Sequence, residues 1–289
     1  MLPAHPAAEA FFLDSAPGRR FCLYHAPQRL CRGALVYAAP FAEEMNKTRR
    51  MAALQARALA AHGYGVLLID LHGTGDSDGD FGEARWEQWK ADLAAASAWL
   101  EQRLDRPVGL WGLRLGALLA LDYAHGAAQP VAQLLLWQPV TDGAAYLTQF
   151  LRLRLAGAML NLSTAPDAGG GAAVATGADL RASLAAGAAL EVAGYMLAPQ
   201  MAAALERLHA APLAPACPTA WLEIVGAAER PLPPGAARTL AAWAGAGAAA
   251  AASTVACTPF WATQEISECP ALIEATLSAL CTLEVRHVG

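Results

Sequence analysis

At 289 residues the chain can form one large α/β domain or two small ones, and either can bury a substantial core. A net charge of -5 and a pI near 5.8 leave no basic stripe for phosphate backbones, which argues against nucleic acid as a partner. Hydrophobic residues make up 56% of the chain and mean hydropathy is +0.30, yet no uninterrupted apolar run approaches the roughly 20 residues a bilayer span needs. The richest stretch, Val108 to Leu121, carries Arg114 at its centre.

Met1 to Arg20 lacks a basic start followed by an apolar block, so no secretory leader is expected and a cytoplasmic address follows. Phe21 to Tyr24 and Ala34 to Ala39 read as strands. Met51 to His62 reads as a helix stopped by Gly63. The apolar run Gly65 to Asp70 has the character of a central parallel strand, and it exits into a glycine-rich loop from Leu71 to Gly79. Glu83 to Leu104 spaces Trp86, Trp89, Leu93, Ala96 and Leu100 for one buried helix face. Val108 to Gly112 is the next strand, Leu113 to His125 the helix that follows without a loop, and Gln133 to Trp137 a further strand.

From Thr141 to about Ala211 the β signal disappears. Helical segments at Tyr146 to Leu160 and Asp179 to Leu190 flank a Gly169-Gly170-Gly171 linker, so residues 141-211 are expected to form an inserted helical cap. Strand character returns at Thr219 to Val225 and Ser253 to Thr258 with a helix between, and Pro270 to Leu283 closes the chain. Residues 1-140 and 212-289 then form the core. The alanine-rich stretch Ala244 to Ala252 reads as a helix end. Six cysteines, at 22, 31, 217, 257, 269 and 281, show neither Cys-x-x-Cys pairs nor a histidine cluster. They are expected to be reduced and mostly buried, with no metal and no cofactor.

Alternating strands and helices predict a mostly parallel sheet covered on both faces. Within it, Gly112-Leu113-Arg114-Leu115-Gly116 has the glycine spacing of a nucleophile elbow, where a strand turns sharply into a helix and presents one residue at the apex. The pattern predicts the α/β-hydrolase fold with an arginine at the apex and a helical cap insertion. A guanidinium cannot be deprotonated in a protein, so it is no nucleophile. Read on spacing alone, the motif also fits a close-packed junction with Arg114 reaching outward.

Several longer stretches carry a specific resemblance: Pro40 to Lys47, Leu68 to Gly73 with Gly79-Asp80-Phe81, Leu110 to Gly116, Leu136 to Pro139, Thr148 to Leu153, Glu191 to Tyr195, Pro259-Phe260-Trp261, and Gln264-Glu265-Ile266. Together they resemble the exosortase A system-associated hydrolase 2 family over nearly the whole chain. The resemblance implies an α/β-hydrolase relative from Gram-negative bacteria that make exopolysaccharide and sort proteins with a PEP-CTERM tail. It supplies no substrate.

The fold places an acid after a late strand and a histidine after the last one. Asp142 and Glu229 are the candidate acids, each readable equally as a solvated loop carboxylate. The segment Thr258 to Glu265 holds no histidine, and His287 lies beyond the expected closing helix. His5, His25, His62, His125 and His209 fall on termini, helix ends or the insertion. His72 exits a central strand toward the usual active-site face, as a pocket residue and not as the general base. Ser77 and Ser267 are weak substitutes for the missing nucleophile, since neither has a histidine nearby.

Phe41, Glu43, Glu44 and Asn46 sit on the loop that usually supplies an oxyanion amide. Carboxylates there favour a cationic or hydroxyl-rich partner, or an ion pair that holds Arg114 through Glu43, Glu44 or Glu265. Glu43 and Glu44 read alternatively as surface residues near Arg49 and Arg50. Two functions compete. In one, a hydrolase works without a Ser-His-acid triad, with Glu44 or Glu265 activating water and Arg114 stabilising an anion, beside a pocket lined by Phe41, Glu43, Asn46, His72, Leu115, Glu229 and Trp261. In the other, a catalytically inactive sensor or scaffold uses Arg114 to grip a carboxylate or phosphate of a small-molecule, lipid-linked or glycan ligand. The stripe Tyr146, Leu147, Phe150, Leu151 and Leu155 reads either as cover for an acyl chain or as the cap's own core.

Overall fold

The computed structural model describes residues 7–164 and 175–287. In chain order the strands are β1 (Glu9–Asp14), β2 (Arg19–His25), β3 (Gly33–Ala38), β4 (Tyr64–Ile69), β5 (Val108–Leu113), β6 (Leu134–Trp137), β7 (Leu190–Val192), β8 (Tyr195–Leu197), β9 (Thr219–Val225) and β10 (Ala250–Ala256). The helices are α1 (Glu43–Ala61), α2 (Trp86–Leu104), α3 (Leu115–Gly126), α4 (Gly143–Thr164), α5 (Gly177–Ala185), α6 (Pro199–Arg207), α7 (Pro234–Gly245) and α8 (Pro270–His287). Eight strands make one sheet in the order β1-β2-β4-β3-β5-β6-β9-β10, parallel from β4 to β10 and antiparallel at the β1-β2 edge. This is the α/β-hydrolase fold.

The sheet is buried on both faces, which is why its central strands are apolar at every position and not at alternate ones. Leu35, Tyr37, Trp111, Leu135 and Trp137 pack toward α1 and α8, while Val36, Leu110, Leu134, Leu136 and Trp221 pack toward α2, α3 and the segment after β6. That segment, between β6 and β9, carries α4, α5, the β7-β8 hairpin and α6.

The pattern departs from expectation where tertiary pairing outweighs local propensity. The segment after β6 was expected to be wholly helical, but Ala193 and Gly194 both take positive φ and close a hairpin between β7 and β8. The alanine-rich stretch splits: α7 stops at Gly245, and Ala250 to Ala252 enter β10, where each residue pairs with β9. A parallel ladder against the buried strand β9 overrides the helix preference of alanine. Helix α1 begins eight residues before Met51, since its first two turns are polar by sequence although Glu44 and Thr48 are buried. A 3-10 turn at Phe81–Glu83, boxed by Asp80 and Glu83, precedes α2. Helix α8 runs on to His287, which was expected beyond it. The Gly169-Gly170-Gly171 linker falls outside the described residues.

The cysteines correct a further expectation. Cys257, at the end of β10, and Cys269, at the start of α8, form a disulfide with a Cα separation of 6.1 Å, because the loop between them returns to its own base. Cys22, Cys31, Cys217 and Cys281 remain free. No helix among the described residues is long and apolar enough to cross a membrane, and no metal-holding cluster occurs among them.

One ion pair ties the antiparallel edge to the helical layer. Arg20 Nε lies 2.8 Å from Asp92 Oδ1, and neither side chain reaches solvent. Asp92 also accepts from the His72 amide at 2.8 Å and from Gln88 at 3.0 Å. Removing one partner leaves an uncompensated buried charge, so Arg20→Leu is expected to lower stability by about 3 to 5 kcal/mol in urea denaturation. A change below about 1 kcal/mol would show that the pair contributes little beyond packing.

Candidate functional site

The site is built where β5 turns into α3. Arg114 occupies the turn with φ 56° and ψ -119°, a left-handed conformation that costs a non-glycine residue about 1 to 3 kcal/mol. Its amide donates to the Trp137 carbonyl at 2.9 Å, and its own carbonyl accepts from Ala117 and Val140. The glycines on either side are there for space. A Cβ on Gly116 would lie 2.2 Å from the Ala38 carbonyl oxygen, and one on Gly112 would lie 2.4 Å from the Ala117 Cα. Ala42, which starts α1, shares nearly the same strained backbone at φ 51° and ψ -125°. The two helix N-termini frame one cleft, and Arg114 stands at its base.

The guanidinium is held, not free. Arg114 Nη2 and Nε lie 3.1 and 3.3 Å from Glu44 Oε1. The ring centroids of Trp261 and Tyr146 lie 5.2 and 5.6 Å from its central carbon. Two cavities of about 280 and 320 Å³ share Arg114, Tyr146 and Gln149 as a common wall. Gln138, Thr141, Asp142 and Glu223 line the first; Glu43, Glu44, Lys47 and Trp261 line the second.

The carboxylates carry the electrostatic strain of burial. Burial raises Glu44, with the Arg114 charge acting against it; burial likewise raises Glu43, opposed by its own backbone hydrogen bond and by Lys47. Glu223 is raised by burial although Trp221 Nε1 and Gln138 Nε2 donate to it at 2.6 and 2.8 Å. Oε2 of Glu43 and Oε2 of Glu44 are both buried without a hydrogen-bond partner among the described residues.

Of the residues expected at the site, Arg114, Glu43, Glu44 and Trp261 come together. Arg49 and Arg50 turn away from them to Asp70 and Glu268. Phe41 is buried beneath the cleft in a ring cluster with Phe81, Trp89, Tyr146 and Phe150, and Leu115 is buried behind the elbow. Asn46 faces a neighbouring cavity and donates to the Tyr195 hydroxyl at 3.1 Å. His72 borders neither Arg114 cavity; it is packed against Gly79, and its carbonyl accepts from Trp89 Nε1.

Glu229 and Glu265 correct expectation: both are exposed and border neither cavity. The loop after β10 turns Trp261 toward Arg114 and leaves Glu265 in solvent, and Glu229 lies beyond the end of β9. Asp142 borders the first cavity, and His209 Nδ1 lies 3.8 Å from its Oδ2 with both side chains half exposed. Ser77 is spent on backbone, accepting from the Phe21 amide and donating to the Asp70 carbonyl. Ser267 meets the Thr263 hydroxyl at 3.3 Å. No serine or histidine among the described residues borders either cavity.

The sequence reading missed Glu223, Gln138 and Gln149 as cleft residues. A lone carboxylate inside the apolar run Trp221 to Val225 is a detectable signal, since a charged residue in a doubly buried strand needs a partner.

Residues 32–167 match a family model described as serine aminopeptidase, S33. No curated protein sequence matches the chain. Among solved structures it is similar to Est1E from Butyrivibrio proteoclasticus with ferulic acid bound, at a TM-score of 0.66 and 14% identity over 96% of this chain and 100% of that one. It is similar also to mouse α/β hydrolase domain-containing protein 10, at 0.62 and 14% over 96% and 99%. A third likeness is to an α/β serine hydrolase without a lid from Xanthomonas campestris, at 0.53 and 15% over 96% and 95%. At these identities the likeness carries the fold alone.

Two measurements test the site. Arg114→Ala strands the buried Glu44 charge and is expected to cost about 3 to 5 kcal/mol in thermal or urea unfolding; unchanged stability would mean that the pair is not buried in solution. The pH dependence follows from the sign of the shifts. A carboxyl whose folded pKa lies above its unfolded value of 4.5 holds its proton more tightly when folded, so stability falls as pH rises from 4.5 through the folded value. Glu223→Gln should flatten that fall relative to the parent protein, and superimposable pH profiles would contradict the shift.

Proposed function

We propose that this chain is an α/β-hydrolase-fold protein that binds a hydroxyl-rich ligand, such as a glycan or glycan-linked molecule, and forms no acyl-enzyme. One observation carries the reading: the apex of the elbow is filled by an arginine whose charge is already paired with buried Glu44. A guanidinium so engaged neither attacks a carbonyl nor offers an open charge to a phosphate or carboxylate. Glu44 Oε1 is taken by Arg114, but among the described residues Oε2 of Glu43 and Oε2 of Glu44 have no hydrogen-bond partner, and open acceptors call for a ligand rich in donors. The motifs shared with the exosortase A system-associated hydrolase 2 family support a role beside exopolysaccharide export and PEP-CTERM sorting, from the cytoplasm.

A second reading keeps the hydrolase. Glu43 borders the cleft with its pKa raised by burial, the environment that suits a general acid or a base for water. Titration with neutral oligosaccharides, alongside profiling with acyl esters and a fluorophosphonate probe, separates the two. Binding is expected to be saturable and to weaken at least about tenfold in Arg114→Ala, with no covalent adduct in the parent protein or in Arg114→Ser. Ester turnover that is lost in Glu43→Gln would favour the carboxylate hydrolase, and a fluorophosphonate adduct on any serine would overturn both readings.

A further inference from the structure

The loop that carries Trp261 is closed on itself by the Cys257–Cys269 disulfide. It leaves β10, buries Phe260 against Trp137, lays Trp261 beside the Arg114 guanidinium and returns to α8. Trp261 and Ala262 form part of the wall of the cavity that holds Glu43, Glu44 and Lys47. Within the loop, local bonds are few: the Ala262 amide reaches the Pro259 carbonyl, Thr263 reaches the Phe260 carbonyl, and Thr263 meets Ser267. Gln264, Glu265 and Ile266 are exposed. Its outer half is tied to the rest of the fold by an Arg50–Glu268 ion pair on the surface and, at the Cys269 end, by the disulfide and an amide contact to Met51 Sδ. An exposed ion pair contributes little against solvent and salt, so the covalent link is the main restraint on that half.

The two sulfurs differ in access. Cys257 is half-buried at the end of an edge strand, whereas Cys269 is 2% exposed beneath the loop. An incoming thiolate therefore meets Cys257 first.

We propose that Cys257–Cys269 is a thiol-disulfide exchange site, served by a dithiol reductant, whose cleavage releases the Trp261 loop and uncovers Arg114. The reductant's thiolate attacks Cys257 Sγ; the S–S bond breaks and its electron pair leaves on Cys269 Sγ, which takes a proton from water. The reductant's second thiol then attacks the mixed disulfide and frees Cys257 as a thiol. In total two electrons and two protons pass to the protein, and the dithiol ends as a disulfide. The exchange site stands on the loop's own geometry; control of ligand entry rests in addition on the binding role proposed above.

The test reads Arg114 directly, without a ligand. Full-length protein is purified without reductant, blocked with iodoacetamide and digested, and Cys257 and Cys269 are expected in one disulfide-linked peptide. Phenylglyoxal, which modifies accessible guanidinium groups, is then applied to the oxidised protein and to protein reduced with dithiothreitol. The modification rate at Arg114, followed by peptide mass spectrometry, should rise at least about fivefold on reduction and return on re-oxidation. Cys257→Ser should match the reduced protein, and Cys31→Ser should match the parent. Recovery of Cys257 and Cys269 as separately alkylated thiols overturns the proposal. So does an Arg114 rate unchanged by reduction in protein with unaltered far-ultraviolet circular dichroism. Should Cys257→Ser fail to fold, the reversible reduction of the parent protein still decides. Oligosaccharide titration of both redox forms adds a separate arm: a fivefold rate change without any binding in either form would leave the exchange site standing and remove the binding role.

Discussion

Arg114 and Glu44 are two charges facing each other at the point where the sheet hands the chain to a helix, and much of the cleft is arranged around that pair. The arginine sits in a backbone conformation that favours glycine, with glycines on either side so that α3 can close against β3. Its carbonyl takes the Val140 amide, which orients the chain leaving β6, and its side chain lies between Tyr146 from α4 and Trp261 from the loop after β10. The pair thus joins four elements that are distant in sequence. Low polarity around it strengthens the attraction and raises the cost of leaving either partner alone.

The consequence for chemistry is a change of role at constant geometry. An elbow ordinarily concentrates reactivity by exposing one side chain at a strained turn with helix amides close by. Here the strained turn remains, and the exposed group is a permanent cation whose counter-ion is built in. The loop that would be searched for a histidine carries an indole ring instead. Around these, the buried carboxyls of Glu44 and Glu223 and the half-buried one of Glu43 all have pKa values raised by burial, an environment opposed to a developing oxyanion.

How much of this was legible before folding differs from residue to residue. Strands β3, β4, β5, β6 and β9 are legible to within a residue or so, because burial on both faces leaves unbroken apolar runs that no helix periodicity imitates. The short strands of the β7-β8 hairpin gave no comparable signal. Strand β10 was caught only in its second half, since alanine carries almost no β preference and its pairing with β9 alone makes the rest a strand. At the site, the elbow was visible from glycine spacing and its chemistry from the arginine between them. Glu229 stands in the loop position where an acid is expected, whereas Glu223 is a carboxylate inside the apolar strand itself, which only its burial against Trp221 and Gln138 makes a cleft residue.

What the residues determined by themselves is therefore the scaffold and the arginine at the apex of the elbow, since apolar runs, glycine spacing and the fixed charge of arginine are local properties. Only the tertiary structure decided that Glu44, and not Glu43 or Glu265, answers Arg114, that Trp261 lies beside it, and that Cys257 meets Cys269. Those pairings join positions 70, 147 and 12 residues apart, and distances of that kind are set by how the sheet and its covering helices pack, which no local pattern encodes.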